Sequence, residues 1–392
     1  MTRQPRLSAL VLAFLAIGLA MAMTLPFRAL FLTDAVHATP ALVTVFLLVV
    51  PIAGVLASSL LGRVSDRFPV RRLLILGTSA AGAAGCGISA IVRNYWVLLL
   101  VTATAIALST ALLPQLFAYA RTAFGRGERA AMTTSMLRTM LSVSWVAGPF
   151  VAALLIDAGG FTLIFGVSTL IYLAAGLVAA FGLPEPRPAP AHDPDAPTGA
   201  DQSGRVVWVS VVALILVQAA ATFAVQALPL FVAHDLHGDV RDTGLLLGLC
   251  ALLEVPLILG FGVLASRLGV RTLFLAGPVV SFAYFATVAI STGTGQVAVA
   301  QVLNAAGIAL LGGIGITYFQ DLLPSQPGRA STLFNNAFPI GSTLAAPLLG
   351  LSQQVGYRVG YAVCAVLCVA GLGLLLAMRP TSVSPRAAVP VT

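Results

Sequence analysis

Three side chains in the apolar run over 132–155 could meet a ligand from one side of a helix. They are Arg138, Ser142 and Trp145, spaced i, i+4 and i+7. A guanidinium donates to hydroxyl oxygens, a serine hydroxyl donates and accepts, and an indole stacks on the apolar face of a pyranose. A polyhydroxylated ligand suits that set. A second row lies in the run over 206–231, where Gln218, Thr222 and Gln226 recur at i, i+4 and i+8. Gln115, Gln301, Asn304, Asn335 and Asn336 place neutral amides in three further apolar runs. Amides both donate and accept, which fits sugar hydroxyls better than a lipophilic cation. Any one of them alone could instead serve an interhelical hydrogen bond.

Two charges stand deep inside apolar runs, Arg138 and Glu254. A charge in lipid is costly, so each marks a functional position or a structural ion pair. Arg28 is close enough to the end of its run to snorkel to the surface.

The elements that must position these groups are membrane spans. The chain has 392 residues, 59% hydrophobic and 9% charged, against about 25% charged in a soluble domain. Such a surface is tolerated by lipid. Apolar runs of spanning length predict twelve helices, at 7–31, 41–61, 73–92, 96–120, 132–155, 161–183, 206–231, 245–264, 272–290, 297–319, 332–351 and 359–378. The first is too long for the apolar core of a signal peptide and is read as a retained helix. The Pro-rich polar stretch 184–205 is a linker, and 379–392 is a tail. The expected division is therefore a six-helix half over 1–183 and a second over 206–378.

All 21 basic residues are Arg. They punctuate the gaps between apolar runs and form no stripe, which excludes a nucleic-acid interface. With the N-terminus inside, 16 fall in inner segments and three (Arg93, Arg241, Arg358) in outer loops, so both termini are expected in the cytoplasm. Cys86, Cys250, Cys364 and Cys368 all lie in apolar runs with no metal-ligand spacing and read as small filler.

Shifting the second half back by 200 residues lays Gly62-Arg-Val-Ser-Asp66-Arg67-Phe-Pro-Val-Arg71 over Gly262-Val-Leu-Ala-Ser266-Arg267-Leu-Gly-Val-Arg271. The same shift lays Arg129-Ala130 over Arg329-Ala330. Duplicated halves around a midplane site are the architecture of secondary transporters.

The first of these segments resembles the loop signature of the major facilitator superfamily, through Gly62, Asp66, Arg67 and Arg71, with Pro69 where the signature has Gly. Helix 4 (Pro114-Gln115-Leu-Phe-Ala-Tyr-Ala-Arg121) and helix 5 (Met136 through Arg138, Ser142 and Trp145 to Gly148-Pro149) resemble the Set family of bacterial sugar efflux transporters. Leu253-Glu254-Val255-Pro256 in helix 8 and Gly328-Arg329-Ala330 before helix 11 extend the resemblance over the membrane domain.

The resemblance implies an all-α fold of twelve transmembrane helices in two pseudo-symmetric halves. It implies that helices 1, 4, 7 and 10 line the cavity, hence roles for Gln115, Gln218 and Gln301. It also implies gating by Gly62, Asp66, Arg67 and Arg71, with Arg267 and Arg271 as the second copy. Asp66 would sit at the N-terminus of helix 11, whose partial positive charge favours an anion. Ser266 at the equivalent place makes the second copy a weaker lock. Helix 5 would face helix 8 across the halves. Arg138 is nine residues from Arg129, roughly 13 Å, and Glu254 thirteen from Arg267, roughly 20 Å, a gap that a long Arg stem can bridge. Arg138 would hold Glu254 ionised when the halves close there, and separation would let Glu254 take a proton.

There is no Lys and no G-x-x-x-x-G-K-[ST], so ATP is not the direct energy source. No G-x-S-x-G or HExxH motif suggests an enzyme. The leading expectation is a proton-coupled sugar exporter, with a drug-type exporter or a sugar importer on the same fold as alternatives. The expected partners are a sugar, protons and the lipid bilayer, with no nucleic acid and no cofactor, and the chain is expected to act as a monomer.

Overall fold

The computed structural model describes residues 7–68, 70–124, 128–184 and 201–378. The core of the expected linker, the tail and Pro69 lie outside the described residues, and of Asp66 only the backbone is described. The described residues contain helices and no strand.

Helix α1 is Leu7–Thr24; it continues past a break through Arg28–Leu30 and a π-helical turn at Phe31–Ala35. Helices α2 and α3 are Pro40–Arg67 and Arg71–Ile91. Helix α4 begins at Tyr95–Val101, passes a π-helical turn at Thr102–Ile106 and runs on to Leu112–Phe124. The stretch Glu128–Gly182 holds α5 (128–158) and α6 (161–182), broken at Gly159 and Gly160. Gly160 turns the chain with φ 65°, which a side chain would resist. Then follow α7 Gly204–His234, α8 Val240–Leu268 and α9 Val270–Ile290. Helix α10 runs from Thr294–Ile308 through a π-helical turn at Ala309–Gly313 to Ile314–Leu322. Helices α11 and α12 are Pro327–Val355 and Tyr357–Ala377.

Among the described residues, ten stretches are long and apolar enough to cross a membrane, and one of them, Met136–Gly182, holds both α5 and α6. Helix α11 is the exception, because it carries Asn335, Asn336, Gln353 and Gln354 within its length. Polar side chains survive in lipid by bonding backward to their own helix. Thr24 donates to Ala20 O, Thr78 to Leu74 O and Ser89 to Gly85 O at 2.7–2.8 Å. Leu56, Leu170, Ile91 and Val299 stay largely exposed, as lipid-facing side chains should.

Residues 7, 184, 201 and 378 share one face of the molecule, here the terminal face; the turns at 36–39, 92–94, 159–160, 235–239, 291–293 and 356 lie on the far face. The internal repeat persists in detail there. His37 and His237, 200 residues apart, both adopt positive φ (56° and 51°). Val36 N–H donates to Phe31 O and Leu236 N–H to Phe231 O, each at 3.2 Å. The equivalent rings Phe31 and Phe231 are each covered by an arginine, though from non-equivalent elements: Arg93 from the turn before α4 and Arg358 from the start of α12. On the terminal face, Arg72 donates to Ala180 O at the end of α6 and Arg271 to Met378 O just past α12. These arginines tie each half to itself.

The exit of the linker is docked. Gln202 N–H donates to Leu322 O, and Asp201 accepts from the Ser325 hydroxyl and N–H and from Gln326 Nε2. The Ser325 hydroxyl bond, helped by its N–H, Gln326 and the nearby Arg329, holds the Asp201 carboxyl below the usual carboxylate range.

Candidate functional site

The two halves meet along two seams, α5 with α8 and α2 with α11. Small residues make the close approach possible. A Cβ on Gly248 would meet Val146 O at 2.9 Å, and one on Gly244 would meet Pro149 O at 2.8 Å and the Ala153 Cβ at 2.6 Å. On the other seam Gly350 abuts Pro40 O and the Thr44 side chain. All these contacts lie on the far-face halves of the helices. Arg241 at the start of α8 also pairs with Asp157 at the end of α5. Nearer the terminal face, Gly62 and Gly262, on the same helix faces as the seam contacts, have open space at the Cβ position. The halves are thus sealed at the far face and part toward the terminal face.

An exposed ion pair contributes about 0.2–1 kcal/mol, whereas overpacking a tight contact costs about 1–3 kcal/mol. Filling the glycine seam would therefore disturb the far-face closure more than removing the exposed Arg241–Asp157 pair. Sequence reasoning missed both. Asp157 stands at a helix end two residues before the Gly159-Gly160 turn, and Arg241 is one of three far-face arginines; only the folded seam joins them.

Register along the α5–α8 seam fixes the depth of the two intramembrane charges. Residues 146 and 248 are level, as are 150 and 244. Extending that antiparallel register puts Glu254 level with 140 and Arg138 level with 256, about 3 Å apart along the axis. In this conformation they form no ion pair: Arg138 is exposed on the parted side, and Glu254 is half-buried, one turn from the buried Cys250. Ser142 donates to Arg138 O at 3.3 Å, and Trp145 is partly exposed on the same helix. Helix α5 keeps all three on one stripe.

The amides divide into groups. Gln115 (α4) and Gln226 (α7) are buried, and the Oε1 of each has no partner among the described residues. Gln218 packs where α7 meets Gly341 of α11, and Thr222 is half-buried one turn on. Asn335 and Asn336 are exposed on α11, and Asn335 Nδ2 donates to Ser331 O. Gln301 is fully buried and turns into its own half, where it accepts from Asn304 Nδ2 at 2.9 Å and faces Tyr284 of α9.

Of the expected gating residues, Gly62 has open space beside it, Arg67 and Arg267 are exposed, and Arg271 is tied to Met378. Arg71 donates to Ser65 Oγ and Ala118 O, within its own half. The Asp66 side chain, and so its contact with α11, lies outside the described residues. Arg28 departs from its expected snorkelling position: the break in α1 turns it toward Cys86 of α3 and Tyr172 of α6, inside the first half.

The Major Facilitator Superfamily profile matches residues 10–226 and 210–390. A relative from Deinococcus radiodurans is 37% identical over 382 residues, covering 95% of this chain and 97% of its own. Sugar efflux transporter A of Dickeya chrysanthemi is 33% identical over 372 residues, covering 94% and 93%. Sugar efflux transporter B of Salmonella typhimurium is 32% identical over 350 residues, covering 88% of each chain. Among solved structures, the nucleoside transporter NupG superposes with a TM-score of 0.75 at 15% identity, covering 95% of this chain and 98% of that one. That likeness carries the fold alone. With the profile spanning both halves, the chain belongs to the Major Facilitator Superfamily, in the company of its sugar efflux transporters.

Proposed function

We propose that this protein exports sugars from the cytoplasm in exchange for protons, acting as a monomer in the inner membrane. The single observation that carries the reading is the α5 stripe of Arg138, Ser142 and Trp145, which lies on the side where the halves part. The names of the relatives at 32–33% identity support sugar as the cargo. The Arg bias of the loops supports a cytoplasmic terminal face, with 184–205 as the inner linker between halves 1–183 and 206–378 and 379–392 as an inner tail. On that orientation the conformation described is the one that loads cargo from the cytoplasm. Gln115, Gln218, Thr222 and Gln226 supply further donors and acceptors, with Asn335 and Asn336 nearer the entrance.

Coupling rests on Glu254 and Arg138. Pairing with Arg138 would hold Glu254 as the carboxylate, and loss of that pair in a poorly solvated place would let it take a proton, so that one carboxylate ties protonation to conformation. Asp66, Arg67 and the second-copy Arg267 are read as parts of the lock that forms on closure, with Arg71 and Arg271 holding the loops in place.

Binding of a labelled sugar tests the site. Trp145→Ala should weaken it about tenfold, the loss of roughly 1–1.5 kcal/mol of ring stacking, at unchanged expression. Wild-type protein that binds cationic dyes and no sugar would favour a drug exporter.

A further inference from the structure

We infer that the second half carries a lipid-headgroup site on its terminal face, built for a phosphoethanolamine, with the phosphate on Arg329, the ammonium on Asp201 and the lipid body along Trp208. Neither the cargo nor the coupling bears on this site.

A cavity of about 170 Å³ lies between the exit of the linker, the start of α7 and the turn from α10 to α11. Its wall combines three polar side chains, Asp201, Gln326 and Arg329, with Val207, Trp208 and Leu323. Val207 and Leu323 are buried, whereas Trp208 is 56% exposed one turn into α7. Indoles gather at that level of a membrane protein, where headgroups give way to hydrocarbon. The polar ligand that is abundant there is a phospholipid headgroup.

Opposite charges flank the cavity, and Gln326 stands between them. Its Nε2 donates to Asp201 Oδ2 at 2.6 Å, and its Oε1 accepts from Arg329 Nη1 at 3.2 Å. Ser325 also holds Asp201, through its N–H at 3.0 Å and its hydroxyl at 2.6 Å. These three bonds leave open one of the roughly four lone-pair directions of the carboxylate, on Oδ1. Arg329 is exposed and commits only Nη1 among the described residues, so most of its planar donor fork is available to a phosphate.

The order carboxylate, amide, guanidinium selects among headgroups. A purely anionic one would be attracted by Arg329 and repelled by Asp201. A choline headgroup has no N–H to give to a carboxylate. A phosphoethanolamine carries a phosphate and an N–H-bearing ammonium a short spacer apart, and both charges find their opposite. The site is also no by-product of the duplication. The 200-residue shift puts Met1, Ser8 and Arg126 where the second half has Asp201, Trp208 and Gln326, so the first half lacks the carboxylate, the indole and the bridging amide.

The test follows Trp208 fluorescence in the full-length protein in vesicles, with Trp96→Phe and Trp145→Phe leaving it the sole indole. The bilayer is phosphatidylcholine with brominated chains, which quench an indole on contact. Unbrominated phosphatidylethanolamine, phosphatidylcholine, phosphatidylglycerol or diacylglycerol is then mixed in. Phosphatidylethanolamine should displace the quencher about fivefold better than phosphatidylcholine, the upper worth of one exposed charge contact. Asp201→Asn should bring that ratio to about one. Arg329→Gln should cut the advantage of phosphatidylethanolamine over diacylglycerol, which has no phosphate, by about fivefold. Ser325→Ala, which removes an anchoring bond and no charge, should keep the preference within about twofold. Should Asp201→Asn fail to fold, the wild-type ranking and Arg329→Gln decide. Equal displacement by every lipid, or the strongest by phosphatidylglycerol, would overturn the site. So would a Trp208 that brominated lipid does not quench, since the cavity would then be covered by protein. A loss in Ser325→Ala equal to that in Asp201→Asn would make the preference a matter of anchoring and overturn the ammonium contact.

Discussion

Replacing Glu254 by Gln is expected to abolish proton-driven sugar export while sparing sugar binding and gradient-independent counterflow. Gln matches the shape of the protonated acid but cannot lose a proton, so the exchanger is left able to change conformation and unable to couple. The geometry that motivates this is the register of the α5–α8 seam, which sets Glu254 and Arg138 almost level yet unpaired while the terminal face is open. A permanent structural pair would be present in this conformation too. Driven accumulation by the Glu254→Gln variant should fall to that of vesicles lacking the protein; unimpaired accumulation would remove Glu254 from coupling.

A comparable loss is expected from Gly244→Val, which changes no charge. The added side chain would run into Pro149 O and Ala153. Neither can withdraw easily, since one is backbone and the other is already the smallest side chain that carries a Cβ. Overpacking of about 1–3 kcal/mol would shift the balance between far-face-closed and far-face-open forms by roughly 5- to 150-fold. Spin labels at Ala41 and Leu351, across the α2–α11 seam, would show the distance distribution moving to longer values. The four native cysteines are all buried, which helps selective labelling. An unchanged distribution would mean that the glycine seam does not set the equilibrium.

Much of the fold is legible in the sequence because lipid imposes a blunt rule: every spanning backbone must satisfy itself, so apolar length alone marks a helix. The repeat also shows, through Gly62 over Gly262 and Arg67 over Arg267. The same shift lays Leu30-Phe31 and His37 over Leu230-Phe231 and His237, a coincidence that sequence reasoning missed; the left-handed backbone that the two histidines share is not written in residue type. The alignment of Arg71 with Arg271 is likewise displaced in space: Arg72 is the residue whose bond to the sixth helix matches that of Arg271, because α3 starts one residue later than the 200-residue shift implies.

The candidate site is legible in part. The α5 stripe follows from helical spacing, and an unbroken helix keeps Arg138, Ser142 and Trp145 on one face. Gln301 does not behave as its place on α10 implies, since the π-helical turn and the pairing with Asn304 accompany a side chain turned inward, toward Tyr284. Rotation about a helix axis is set by neighbours, and a single sequence holds no record of them. The Asp157–Arg241 contact is a second case: two charges 84 residues apart, each ordinary in its own loop.

If sugar leaves the cytoplasm at the expense of an inward proton gradient, everted membrane vesicles with an acidic interior should reveal it. They would be offered a panel of labelled mono- and disaccharides together with cationic dyes. A sugar should accumulate inside, the accumulation should collapse when a protonophore is added, and vesicles without the protein should show neither. Gradient-driven uptake of dyes with no movement of any sugar would refute sugar–proton exchange.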